Sequence, residues 1–149
     1  MMEIHKSALV KFPAQAMFDL VDDIESYPEF LPWCAGSKIL LRTEDVVEAE
    51  LHIARGGFKR TFATRNVSDG GGRIVMTLID GPFTYLQGAW NFMPLREDAS
   101  KISLDLDFEM TGKLANLAFG AVFNQICNSM VGSFTQRAKQ IYGKSAAAG

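Results

Sequence analysis

Asp105, Asp107 and Glu109 alternate along one predicted strand, a spacing that places acids on a single face where one carboxyl could give a proton and another take it. Ile102, Leu104, Leu106, Phe108 and Met110 form the opposite row, so the acids read as a solvated outer face that also discourages edge pairing. Cys34 and Cys127 are potential nucleophiles, but neither has a neighbouring His to generate a thiolate and they form no CxxC or CxxH spacing. They read as reduced, small buried hydrophobes. His5 and His52 stand alone on separate predicted strands, two nitrogens where catalytic zinc takes three protein ligands and structural zinc four, so no metal site is expected. GxSxG, HExxH, Walker and GxGxxG patterns do not occur. Gly70-Gly71-Gly72 falls between strands as a hairpin turn, not ahead of a helix where it could cradle phosphate. These patterns single out no catalytic residue and no site for a catalytic cofactor.

Two other groupings carry binding chemistry. Arg55, Lys59, Arg60 and Arg65 concentrate positive charge around one hairpin, and alternation divides them, Arg60 sharing a face with Phe58 and Phe62 and Lys59 sharing one with Arg65. They are either ordinary solvated charges or a patch for phosphate, whether of lipid or of ribosomal RNA. From Lys113 onward there is no Asp or Glu, yet the net charge is −2, so no global field draws the chain to nucleic acid and no DNA partner is expected. The second grouping is Tyr27-Pro28-Glu29-Phe30-Leu31-Pro32-Trp33-Cys34, where two prolines stiffen an aromatic corner that must pack on something apolar. Such a corner suits a cavity wall, a lid or a core plug equally well. Trp33, Phe83, Trp90, Phe92, Phe108, Phe119 and Phe123 carry the same double reading of core filling or cavity lining.

The elements that must position these residues fit one domain, since 149 residues with 48% apolar and 21% charged content suffice for a single sizeable core. Eleven Phe against three Tyr make that interior greasy. Ile4 to Lys11 reads as a strand, and Pro13 opens an amphipathic helix through Met17, Leu20, Val21 and Ile24 that ends near Glu25. A short second turn over Ser26 to Phe30 leads into the corner. From Ser37 to Thr111 the period becomes two, with turns at Thr43 to Asp45, Arg55 to Gly57, Ser68 to Gly72, Asp80 to Pro82 and Arg96 to Asp98, which leaves room for six strands of an antiparallel meander. Lys113 to about Tyr142 is a long helix with Phe119, Phe123, Ile126, Met130, Phe134 and Ile141 on one stripe. A parallel stripe of Ala115, Ala118, Val122, Gln125, Ser129 and Ser133 carries small or weakly polar residues that would leave space beside it. Gly143 stops the helix, and 144–149 reads as a frayed tail. The element order predicts an α+β fold, a curved sheet of about seven strands wrapped on the C-terminal helix, with any gap between them an apolar cavity. No apolar segment is long enough to span a bilayer and no signal h-region is present, so a cytoplasmic protein is expected.

Val21-Asp22-Asp23, the corner from Tyr27 to Cys34, Gly81-Pro82-Phe83, Leu86, Trp90-Asn91-Phe92, Leu106 to Glu109, Met130-Val131, Phe134, Arg137-Ala138 and Tyr142-Gly143 resemble the coenzyme Q-binding family of START-like proteins. That family also contains the ribosome association toxin RatA and belongs to the polyketide cyclase/dehydrase superfamily. The resemblance implies a helix-grip fold over 1–143, with two short N-terminal helices, and a non-enzymatic protein holding ubiquinone or a related polyprenyl quinone in support of respiration. It also implies that Leu31 and Trp33 close one end of a cavity, that Phe83, Leu86, Trp90, Phe92 and Phe108 form its sheet wall and that Phe119, Phe123 and Met130 form its helix wall. A transient contact with the inner membrane surface follows from that reading. The second function the family implies is binding the large ribosomal subunit and blocking its association with the small one. A third, a cyclase or aromatase, lacks a convincing acid or base.

Overall fold

The computed structural model describes residues 2–143; the tail expected at 144–149 lies outside the described residues. The chain runs through β1 (Met2–Val10), α1 (Ala14–Asp22), a 3-10 helix (Ile24–Glu29), β2 (Cys34–Arg42), β3 (Val46–Arg55), β4 (Phe58–Ser68), β5 (Arg73–Asp80), β6 (Phe83–Arg96), β7 (Ala99–Met110) and α2 (Leu114–Ile141). All seven strands form one sheet in the order β1-β7-β6-β5-β4-β3-β2, every pairing antiparallel. This is the α+β architecture expected from the alternation, with all five turns where glycine, proline and acidic residues signalled them.

Several boundaries shift by a few residues from expectation, β2 for example starting at Cys34, and two of the shifts matter for the corner. β1 stops at Val10, and α1 stops at Asp22 because the chain tightens there into the 3-10 helix, which holds Pro28. Proline donates no backbone hydrogen bond, so a short 3-10 segment accommodates it where a continuing α-helix would not. In the β3–β4 turn both Gly56 and Gly57 have positive φ (61° and 82°), a conformation that costs glycine little and closes the two-residue hairpin.

α2 crosses the sheet asymmetrically. Its backbone runs closer to β1, β7 and α1 than to β2 to β6. Its buried face is Phe119, Gly120, Phe123, Ile126, Cys127, Val131, Phe134 and Ala138. Met130 is only half-buried and Ile141 is exposed, because the stripe continues through Val131 and Ala138 at three- and four-residue steps instead of reaching Ile141. The stripe of small residues does not leave interior room: Ala115, Ala118, Gln125 and Ser129 face solvent.

Most of the phenylalanines pack on one another. The Phe123 ring lies 4.8 Å from Phe108, 4.9 Å from Phe83 and 5.7 Å from Phe62, each near edge-on. A second cluster forms where Phe134 meets Trp90, Tyr27 and Phe30, each at 5.4 Å. Edge-to-face pairs of this kind contribute about 0.5–1.5 kcal/mol beyond the area they bury.

Candidate functional site: a cavity between the sheet and the long helix

Between α2 and the sheet, the inner faces of β3 to β7 enclose a cavity of about 60 Å³ open to the centre of a water molecule. A single water needs roughly 10–15 Å³ on that measure and a cavity that takes benzene about 150 Å³, so the space holds on the order of a few waters. Alternation supplies the sheet wall: Ala49 and Leu51 from β3, Phe62, Thr64 and Asn66 from β4, Met76 from β5, Leu86 and Trp90 from β6, and Leu104 and Leu106 from β7. Phe123, Ile126, Cys127 and Met130 come from α2, and Ile24, Tyr27 and Trp33 from the 3-10 helix and the corner after it. Among the described residues no charged side chain lines it.

The polar groups in this wall are few and mostly committed. Tyr27 donates its hydroxyl to the Val21 carbonyl, and burial pushes its pKa far above the ordinary tyrosine range, so it stays a neutral donor. Thr64 Oγ1 donates to Asn66 Oδ1 at 2.9 Å. Burial likewise raises the Cys127 thiol well above its usual pKa, which leaves it protonated and unreactive. Trp33 is 2% exposed, and its indole Nε1 has no hydrogen-bond partner among the described residues.

Local backbone bonds hold the corner. Leu31 N–H donates to the Tyr27 carbonyl at 2.9 Å, Cys34 N–H to Leu31 at 3.0 Å, and Ala54 N–H of β3 to the Trp33 carbonyl at 2.9 Å. The segment therefore divides its roles. Tyr27 and Trp33 line the cavity, Leu31 is a buried plug, and Phe30 lies near the surface under the Arg137 guanidinium, 4.9 Å from its ring centre. Arg137 is held there by Glu29 at 3.2 Å. Cys34 is buried, with Sγ 3.3 Å from the Gly36 carbonyl oxygen and its pKa raised by burial.

Of the ten residues expected at the cavity, Trp33, Leu86, Trp90, Phe123 and Met130 line it. Leu31, Phe83, Phe92, Phe108 and Phe119 do not, although all are buried. The four phenylalanine rings are taken by neighbours: Phe83 packs on Phe62 and Phe108, Phe92 on Trp90 and Phe18, and Phe119 on Phe58. The polar pair Thr64 and Asn66 went unremarked in the sequence, although both share the inward parity of Phe58 and Phe62.

The cationic hairpin divides as alternation requires. Arg55 and Lys59 are exposed beside the β3–β4 turn. Arg60 lies over the Phe58 and Phe119 rings at 5.4 and 5.7 Å. Arg65 is drawn away to Glu48 at 3.2 Å, which leaves it out of any shared patch. On the opposite side of the sheet, Asp105 pairs with His5 at 2.8 Å, and this bond raises the His5 pKa above 6.5. That carboxylate row faces solvent on its own side of β7, away from the cavity.

Residues 10–135 match the family described as polyketide cyclase / dehydrase and lipid transport. The chain belongs to this family. Within it the chain is similar to the ribosome association toxin RatA of Pseudomonas aeruginosa, 50% identical over 94% of this chain and 97% of that protein. It is more distantly similar to the mitochondrial coenzyme Q-binding protein COQ10 homolog B of Xenopus laevis, at 27% identity over 95% of this chain and 60% of that protein. Among solved structures, the Zhui aromatase/cyclase from Streptomyces superposes with a TM-score of 0.82 at 19% identity, covering 93% of this chain and 94% of that one. That last likeness speaks for the fold alone, and the START-like fold of the family agrees with the seven-stranded sheet and long C-terminal helix.

Proposed function

We propose that this chain is a non-enzymatic ribosome-association factor that binds the large ribosomal subunit and hinders its joining with the small one. The observation that carries the reading is the 50% identity to a ribosome association toxin across nearly the whole of both chains. Ubiquinone binding, the first reading from sequence, has weaker support: a 27% relative and an apolar cavity that is small for a polyprenyl quinone. Ribosome association therefore becomes the leading function. With net charge −2, contact with ribosomal RNA must come from a local patch, and the free cations at the β3–β4 end meet that requirement. Arg55 and Lys59 project into solvent there, and Arg60 presents a planar guanidinium braced on two rings.

Purified protein added to separated ribosomal subunits, followed by sucrose-gradient sedimentation, tests the proposal. The expected result is protein comigrating with the large subunit and a reduced yield of joined ribosomes. Protein remaining at the top of the gradient, with normal joining, would overturn it.

A further inference from the structure

The first two turns of α2 reverse the usual arrangement of a surface helix, which turns polar residues outward. Leu114 is 82% exposed and Leu117 53%, and Ala115, Ala118 and Ala121 are exposed with them, so every exposed side chain from 114 to 121 is apolar. Single exposed leucines are ordinary, whereas a contiguous apolar surface on a folded domain marks a contact.

This segment is fixed in place by its own fold. Asn116 donates its side-chain amide to Thr111 Oγ1, and the Thr111 N–H donates to the Pro82 carbonyl at 3.0 Å, which ties the helix start to the β5–β6 turn. One turn further on, Phe119 packs on Phe58 and Val122 lies beside Gly56 of the β3–β4 turn. The leucines therefore stand on a rigid base at the same end of the molecule as the exposed Arg55 and Lys59.

Charge and extent decide what covers them. The turns at this end, Gly56-Gly57, Gly81-Pro82 and Thr111 to Lys113, hold no acid, and neither does the first turn of α2. The turns at the other end of the sheet carry Glu44, Asp45, Asp69, Glu97 and Asp98. A second copy of this chain docking tip to tip would set cation against cation, which disfavours it. RNA answers the cations, but it is held through phosphates and by stacking on flat side chains, so it gives an aliphatic ridge little. A bilayer calls for a long apolar helix face with aromatic anchors, and the long apolar face of α2, Phe119 and Phe123 included, is already buried on the sheet. Two leucines three residues apart at a rigid helix end fit an apolar groove on a protein.

We propose, resting on the ribosome-association reading, that Leu114 and Leu117 dock into an apolar groove bordered by carboxylates on a protein of the large ribosomal subunit, beside the RNA phosphates that meet Arg55 and Lys59. The cations draw the chain to the subunit, and the leucine ridge selects the place on it where RNA and protein adjoin. The footprint has two parts, and mutation separates them.

The test compares comigration with intact large subunits and binding to the protein-free RNA extracted from them, at matched salt. Leu114→Ser/Leu117→Ser should lose about tenfold in affinity for the intact subunit, as two apolar anchors leave their groove, and should bind the free RNA as wild type does. Arg55→Glu/Lys59→Glu should weaken both interactions. Because both leucines are exposed, the melting temperature of the serine variant should match wild type. Should the serines fray the helix start, Leu114→Ala/Leu117→Ala keeps good helix formers and repeats the measurement. Undiminished binding of both leucine variants to intact subunits would overturn the proposal and leave ribosome association standing, as would an equal loss on free RNA. Wild type that floats with phosphatidylglycerol vesicles through these leucines, with subunit binding unchanged in the variants, would assign the ridge to a lipid surface and overturn it too. Absence of wild type from intact subunits would refute ribosome association itself, and this proposal with it.

Discussion

Phe108 and Trp33 are both nearly sealed from solvent, yet they lie in regions built on different plans. Around Phe108 the sheet and α2 meet ring against ring: Phe83, Phe123 and Phe108 interlock, and Phe119 and Phe62 close the group. Around Trp33 the helix lies farther from β3 to β5 and the interior is left partly empty, with polar groups set into an apolar wall. The difference teaches that inward-facing position and aromatic character do not distinguish core from cavity. What distinguishes them is whether a partner on the facing element is near enough to fill the space.

The sharpest way to break this contrast is to remove a ring from the solid region. Phe108→Ala deletes a fully buried side chain at the centre of the interlocked rings, and urea denaturation should show a loss of about 3–5 kcal/mol. A loss below 1 kcal/mol would mean the region is not packed as described. A smaller effect comes from adding one carbon where backbones nearly touch. A Cβ on Gly88 would lie 2.6 Å from the Asp105 carbonyl oxygen and 3.0 Å from the Leu106 Cα, so Gly88→Ala should cost about 1–3 kcal/mol as β6 and β7 are forced apart.

The hollow region should respond in the opposite manner. Ala49 is buried in the cavity wall, and Ala49→Leu places its added carbons in the void, so stability should stay within about 1 kcal/mol of wild type. The smallest effect lies on the outer face. Asp105 raises the His5 pKa, so the folded state favours protonated His5, and the stabilisation is full below the unfolded value of 6.5 and is lost as pH rises through the higher folded value. Melting temperatures of wild type and His5→Asn should therefore differ most near pH 5.5 and converge by about pH 9. A constant difference across that range would dismiss the His5–Asp105 pair as a source of pH dependence.

Much of this was legible from residues alone. The alternation from Ile102 to Met110 is preserved position by position in β7, and the Gly, Pro and Asp clusters marked each hairpin. Cys34 and Cys127 are buried and unpaired, as their surroundings implied. The cavity was only half legible. Trp33, Leu86, Trp90, Phe123 and Met130 belong to it, while Phe83, Phe92, Phe108 and Phe119 are also buried and are packed solid. Periodicity gives direction along one element but not the distance to the next, and the greater distance of α2 from β3–β5 is a property of the assembled layers. Thr64 and Asn66 were readable as polar residues on an inward row, a departure from the local pattern that points to a site. The withdrawal of Arg65 to Glu48 depends on strand register, which links Glu48 directly to Arg65 across β3 and β4.

Charge reversal at the β3–β4 end tests the central claim most directly, because Arg55 and Lys59 are exposed and outside the packed core. Sedimentation of wild type and an Arg55→Glu/Lys59→Glu variant with isolated large ribosomal subunits, at matched salt and with unchanged melting temperature, is the measurement. The account predicts that wild type comigrates with the subunit and that the variant loses at least about tenfold in affinity, since each lost phosphate contact weakens binding and each new carboxylate opposes it. Equal comigration of the two proteins, or none by the wild type, would contradict it.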